Sequence, residues 1–316
     1  MNKIQEMQAF VVICEELSFT LAARRLSVSP TMMTRAIASL ERRLNTSLLI
    51  RNTRNVQLSD TGRRFLVDCK RILSELDEAE NFASGNFGTP SGQLTVAAPQ
   101  MFGELHIMPI ITSFLAEHAN VTINTLLVDR ITNMVEEGID VAIRIGNTEE
   151  DLQHGIVVGK TRRVICGSAE YFKKYGRPSH PSNLHNHRLI ASTANTLSRN
   201  WEFEADGHSL HIKPDLKLTV STDQAAIRIA SLGWGLTQAL SYQIADKVTT
   251  GELEIVLENY EQAPLPVRIC FQADRKIPAK ISAFVDLCIN RLSGNFALCQ
   301  FESKNRDEQL LINRVF

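Results

Sequence analysis

Apolar positions recur at helical spacing through the first 85 or so residues, and from residue 92 the rhythm changes to short apolar runs alternating with amphipathic stretches. Ile4, Met7, Phe10, Val11, Cys14 and Leu17 form one stripe of a first predicted helix. Ser18 ends that pattern and is a good N-cap for FTLAARRL, whose Phe19, Ala22, Ala23 and Leu26 face inward. A break at Ser27-Val28 is followed by Ser29-Pro30, a capping side chain and then a residue tolerated at the first helical position, so the next helix is PTMMTRAIASLERRL.

Two helices joined by a turn of this length predict a helix-turn-helix unit, in which the second helix enters the DNA major groove by its N-terminal turn. Ser18, Ser27, Ser29, Pro30, Thr31, Met32, Thr34 and Arg35 are then the DNA-facing candidates, with Met32 and Met33 placing two thioethers at the reading turn. Arg24, Arg25, Arg42 and Arg43 lie away from that turn and are assigned to phosphate or solvent. Next, Arg51 and Arg54 flank a polar turn before the alternating Val56-Gln57-Leu58, as in a basic wing laid along the backbone or minor groove.

Charge sharpens this picture. The whole chain carries a formal net charge of only -1, but residues 1–74 hold twelve Lys+Arg against six Asp+Glu, and the remainder is acidic. A basic segment on an acidic body is the asymmetry expected where one part meets a polyanion.

The stretch SFTLAARRLSVSPTMMTRAIASLERRLNTSLLIRNTRNVQLSDTGRRFL closely resembles the LysR-type transcriptional regulators. It carries that family's Ser-Phe start, Ala-Ala pair, Val-Ser turn, Leu-Glu pair, basic wing and helix entry. The resemblance continues through VEEGIDVAIRIG, YGRP, GWGL and LPVRICF to about residue 292, and is strongest to the branch often called CrgA-like. It implies an N-terminal all-α winged helix-turn-helix with a long linker helix, and a C-terminal α/β two-lobed effector domain of the periplasmic-binding-protein type 2. Asn45 stands where the family commonly has Gly, and Ile50 where it has Phe.

The expected boundaries are 1–60 for the DNA-binding domain, 61–91 for the linker helix and hinge, 92–292 for the effector domain and 293–316 for a tail beyond the resemblance. In the linker helix, Phe65, Cys69, Ile72, Leu76, Ala79 and Ala83 have coiled-coil spacing, and the resemblance implies that this helix pairs two chains. Beyond the hinge NFGTPSGQ, strands and helices alternate with the rhythm of a doubly wound parallel sheet. RITNMVEEG is expected as a helix, and GIVVGKTRRVICG as the opening of a second lobe. Ligands in such sheets sit beyond the carboxyl ends of strands. Gln100, Met101 and Phe102 follow one such end and Ser221 and Thr222 another, with Thr193, Asp129 and Arg144 completing the expected effector cleft.

The partners implied are double-stranded promoter DNA, a small-molecule effector, further copies of the chain as homodimer or homotetramer, and RNA polymerase, with no membrane. No cofactor and no metal are expected: the sequence has no Gly-x-Ser-x-Gly elbow, phosphate loop, His-Glu-x-x-His helix or Cys-x-x-Cys. That excludes the commonest enzyme classes. The N-terminus lacks a basic-then-apolar export signal, so a cytoplasmic location is expected. Two alternatives remain, a ligand-binding protein with idle N-terminal helices and a thiol-based redox regulator. For the latter Cys166, preceded by Arg162 and Arg163, is the candidate, although Val164 and Ile165 place it more readily in a core.

Overall fold

The computed structural model describes residues 2–52, 55–83, 89–146, 155–194, 200–205, 207–271 and 277–293. Three helices form the N-terminal domain: α1 (Lys3–Glu16), α2 (Phe19–Arg25) and α3 (Pro30–Leu44). Each start has a side-chain cap: Asn2 with Gln5 in a reciprocal capping box, Ser18 accepting from the Leu21 N–H, and Ser29 from the Met32 N–H. Asn45 ends α3 at φ 50°, in the left-handed region where Asn is the usual alternative to Gly. The hairpin β1 (Leu49–Asn52) and β2 (Asn55–Leu58) follows, then the long α4 (Asp60–Ala83).

These elements share one core. Phe10, Ile13, Ala22, Met33, Ile37, Leu40 and Leu48 are essentially inaccessible, and Cys69 of α4 belongs to the same cluster. The predicted α1 stripe is corrected at its ends, since Ile4 and Leu17 are exposed, and in its width, since Ala9, Val12 and Ile13 are also buried. α1 is the central helix here and packs against α2, α3 and α4.

The C-terminal part has two sheets. In lobe 1, β3 (Gly92–Ala98), β4 (Val121–Leu127), β5 (Val141–Ile145), β6 (Gly155–Thr161) and β14 (Leu265–Phe271) lie in the order β4-β3-β5-β14-β6. Lobe 2 combines β7 (Arg163–Ser168), β8 (Leu189–Ser192), β11 (Leu216–Val220), β12 (Leu236–Leu240) and β13 (Leu253–Val256) in the order β11-β8-β12-β7-β13, with a separate hairpin of β9 (Trp201–Ala205) and β10 (His208–Ile212).

The expectation of parallel sheets is corrected. β3 runs parallel to β4 and β5, but β14 is antiparallel to β5 and β6, and β7 is antiparallel to β12 and β13. Each lobe thus borrows a strand at which the chain crosses over. β6, expected to open the second lobe, belongs to the first, and the crossing falls between Thr161 and Arg163.

Helices cover the sheets. In lobe 1, α5 (Gln100–Phe102) runs through a π turn (Gly103–Ile107) into α6 (Met108–Glu117), and α10 (Ala279–Leu292) buries Ile281, Phe284, Val285 and Cys288. In lobe 2, α7 (Ala169–Tyr175), α8 (Asp223–Ser231) and α9 (Ser241–Thr249) do the same. The helix expected over RITNMVEEG does not form. The Asn133 side chain accepts the Val135 and Glu136 N–H groups and closes a turn in its place, leaving Ile131 and Val135 exposed.

Candidate nucleic-acid interface and effector cleft

On α3, Thr31, Met32, Thr34 and Arg35 are all exposed, whereas Met33 is fully buried. The reading turn therefore presents one thioether rather than two, because Met33 falls on the core side of the helix with Ile37 and Leu40. The Thr34 hydroxyl donates to the Pro30 carbonyl at 3.1 Å, which leaves its oxygen free to accept. Ser27, exposed in the turn at φ 55°, lets the two helices meet at their short separation.

The flanking arginines divide differently from the sequence expectation. Arg25 is held by Glu15 and Glu16 at 2.9 and 3.1 Å, and Arg43 reaches Glu6 at 2.9 Å, so both tie helices together and are not free phosphate contacts. Burial pushes the Glu6 carboxyl up, but hydrogen bonds from Ser39 and Arg43 outweigh it and hold the group below its ordinary value. Arg24, Arg35 and Arg42 remain exposed with no ion pair among the described residues. The wing backbone is an antiparallel hairpin with Asn52 opposite Asn55. Arg54 and the side chain of Arg51 lie outside the described residues.

Two residues that the sequence reading missed hold the wing in place. Glu41 accepts the Leu48 and Leu49 N–H groups at 2.8 and 3.1 Å. Gly62 brings α4 so close to the strand that a Cβ there would lie 2.1 Å from the Leu48 carbonyl oxygen. Ser59 caps α4 by accepting from the Gly62 N–H at 2.9 Å.

The linker seam is also corrected. Cys69 is fully buried against α1, and Phe65 stacks on Phe10 at 5.8 Å between centroids, so these two belong to the intrachain core. Ile72 and Ala79 are exposed and Leu76 is half-buried, the positions α4 leaves open; the Ala83 side chain, residues 84–88 of the hinge and residues 294–316 of the tail lie outside the described residues. Lys280 of α10 is buried and donates to the Ser74 hydroxyl at 2.6 Å, beside a cavity of about 270 Å³ between α4 and lobe 1.

Two smaller cavities sit at the carboxyl ends of the parallel strands, one in each lobe. The lobe-1 cavity, about 110 Å³, is lined by Ala98, Pro99, Asp129, Thr132, Arg144 and Ile145 among others. Asp129 accepts the Gln100 backbone N–H at 3.0 Å, and Arg144 donates to the Thr132 carbonyl at 2.9 Å. Burial, with like charge from Asp223 and Glu104, raises the Asp129 carboxyl above its ordinary range against the pull of the Gln100 N–H. Because Asp223 belongs to lobe 2, this repulsion acts between the lobes.

The lobe-2 cavity, about 40 Å³, is lined by Arg163, Ser192, Trp201, Asp223, Gln238 and Gln243 together with apolar neighbours. Of the residues expected there, Thr222 caps α8 by accepting from the Ala225 N–H, Thr193 bonds the Val220 carbonyl, and Ser221 is exposed beside them. Phe102 is corrected: it is fully buried, with Tyr242 of α9 edge-on at 5.2 Å and His106 at 4.7 Å, and so pins lobe 2 onto the lobe-1 core. Met101 packs against the cores of both lobes. The crossing between the lobes is polar: Ser241 Oγ meets Thr161 Oγ1 at 3.1 Å and accepts the Arg162 N–H at 3.1 Å.

Known proteins share this layout. The model of the bacterial regulatory helix-turn-helix proteins of the lysR family matches residues 4–63, and that of the LysR substrate binding domain matches residues 87–293. An HTH-type transcriptional regulator of Xanthomonas campestris pv. campestris is 30% identical over 296 residues, spanning 92% of this chain and 86% of that protein. The full-length structure of the virulence activator AphB of Vibrio cholerae is similar at a TM-score of 0.60 and 22% identity, over 92% of this chain and 100% of that one. CrgA, a LysR-type regulator of Neisseria meningitidis, gives 0.57 and 23%, over 93% and 100%. With an exposed reading helix at one end and a two-lobed cleft at the other, the chain belongs to the LysR family of transcriptional regulators.

Proposed function

We propose that this regulator binds a dyad-symmetric promoter site as a cytoplasmic dimer or dimer of dimers, and that a small molecule closing the inter-lobe cleft alters that binding. The observation that carries the reading is the exposed first turn of α3, where Thr31, Met32, Thr34 and Arg35 stand clear of a core that buries Met33, Ile37 and Leu40. Ser18 and Ser29 fix the helix starts, and Ser27 and Pro30 shape the turn between them. Thr31, Met32 and Arg35 meet base edges, while Arg51 and Arg54 of the wing neutralise phosphates and set the salt dependence.

Dimerisation runs along the open face of α4 through Ile72, Leu76 and Ala79. Effector binding involves Asp129 and Arg144 of lobe 1 and the strand ends near Ser221 and Thr222 of lobe 2. The protein acts by binding alone, without cofactor or metal, and contact with RNA polymerase follows from its position on the promoter.

Footprinting of the full-length protein on DNA upstream of its own gene tests this reading. Two protected half-sites spaced by whole helical turns are expected. Protection without symmetry, or none at about 0.1 M salt, refutes it.

A further inference from the structure

Two donors lining the lobe-2 cavity lack partners among the described residues. Trp201 is completely buried, and its indole Nε1–H, a group that can only donate, meets no acceptor among the described residues. Arg163, the first residue after the lobe crossing, is half-buried in the same wall. No hydrogen bond or ion pair engages its guanidinium among the described residues; burial lowers its pKa from the ordinary value, and only the charge of Glu202 opposes this. Its neighbour Arg162 is bonded to Glu261 at 2.9 Å, an anion that Arg163 lacks among the described residues.

The position of the cavity says what could supply the acceptor. It lies where β8 and β12 end and where α8 and α9 begin, with Arg163 paired in register to Leu240. The charge of Asp223, on its rim, acts on Asp129 of the other lobe, so this end of lobe 2 faces lobe 1. At about 40 Å³ the cavity is smaller than its lobe-1 counterpart. Asp223 itself accepts from the Gln243 amide at 3.0 Å, and the Gln243 oxygen is taken by the Leu240 N–H at 2.8 Å. That carboxylate is therefore held in a fixed orientation in the cavity that the two unpartnered donors also line. Arg144 cannot substitute for Arg163, because it donates to the Thr132 carbonyl in the other lobe.

We propose that the lobe-2 cavity is the head-group subsite of the effector and takes a compact carboxylate with a hydrogen-bond donor on the adjacent carbon, an α-amino or α-hydroxy acid. Arg163 and the Trp201 indole hold the carboxylate, and Asp223 takes the ammonium or hydroxyl. The proposal rests on the effector-binding reading above and names the chemistry of that cleft.

Calorimetric titration of the full-length protein with L-valine, 2-hydroxyisovalerate, isovalerate and L-valinamide tests the requirement, with L-serine, lactate and L-phenylalanine varying the size. The amino or hydroxy acid should bind about tenfold or more tightly than the unsubstituted acid, and the amide should fail. Arg163→Gln should weaken the acid about tenfold, and Trp201→Phe, which keeps the ring and removes only the N–H, several-fold. Arg163 is outside the core, so its variant remains decisive if Trp201→Phe does not fold. Unchanged affinity in the Arg163 variant overturns the subsite. So does binding of the amide alone, lost in Arg144→Gln and kept in Arg163→Gln, although the effector reading then stands. No heat from any of these probes overturns the subsite, and the effector reading then stands on its own test.

Discussion

Arg43, in the last turn of α3, donates to Glu6, in the first turn of α1, at 2.9 Å, and the Glu6 side chain is only 6% exposed. A buried carboxylate stripped of its partner is costly, so Arg43→Ala should destabilise the N-terminal domain by about 1–3 kcal/mol. The effect follows pH with a definite sign. The folded Glu6 titrates below its ordinary value of 4.5, so the pair's contribution is complete above that value and fades as pH falls through the lowered one. Thermal melts of wild type and Glu6→Gln should accordingly converge in acid and differ most near neutrality. Melts that stay parallel down to pH 3 would show that the pair contributes nothing through ionisation.

DNA affinity should separate the arginines by their surroundings. Arg51→Ala should weaken binding to every duplex and reduce the salt slope by about one, whereas Arg35→Ala should cost about 1–3 kcal/mol on the preferred site and relax base preference there. Fluorescence anisotropy across a salt series and a library of half-sites measures both. Equal loss on all sequences for Arg35→Ala would move it to the phosphate group.

At Gly62 the contact is steric. A methyl at this position meets the Leu48 carbonyl at 2.1 Å, so Gly62→Ala must push α4 away from the wing. A loss of about 1–3 kcal/mol is expected, with weaker promoter binding at temperatures where the chain is still folded. A melting temperature within a degree of wild type would show that the helix shifts without cost.

Along α4, two neighbouring apolar positions should behave oppositely. Ile72→Glu acts on an exposed site and should shift the sedimentation profile toward monomer while the melting curve stays nearly unchanged. Cys69→Asp, inside the core, should instead unfold the N-terminal domain. A variant at Ile72 that remains fully associated would place the dimer contact elsewhere.

Thiol regulation is the remaining contrast. Cys166 is completely buried, and burial pushes its thiol up to about 12, far from the thiolate that reacts with peroxide. Promoter occupancy under mild peroxide should be the same in wild type and Cys166→Ser. A response present only in wild type would make the protein a redox sensor.

The rules legible in the sequence were those that act within a few residues. Ser18 and Ser29-Pro30 announce helix starts because a side-chain oxygen reaches an N–H three residues on, whatever lies beyond. Spacing alone likewise put Ala22 and Ala23 inside. What the tertiary structure decided were choices between distant partners. Met32 and Met33 are chemically alike, and only the packing of α1 against α3 turns one outward and buries the other. Arg25 and Arg43 look like phosphate ligands until Glu15, Glu16 and Glu6 arrive from another helix. Phe102 follows a strand end, where a ligand residue is expected, yet Tyr242 from the far lobe covers it. Strand order has the same origin: β14 pairs with β5 across more than a hundred residues, a pairing that local alternation does not encode. Arg163 and Trp201 fall in one cavity wall for that reason too, since the sheet order and the hairpin after β8, not their separation in sequence, bring an unpaired guanidinium and an unpaired indole together.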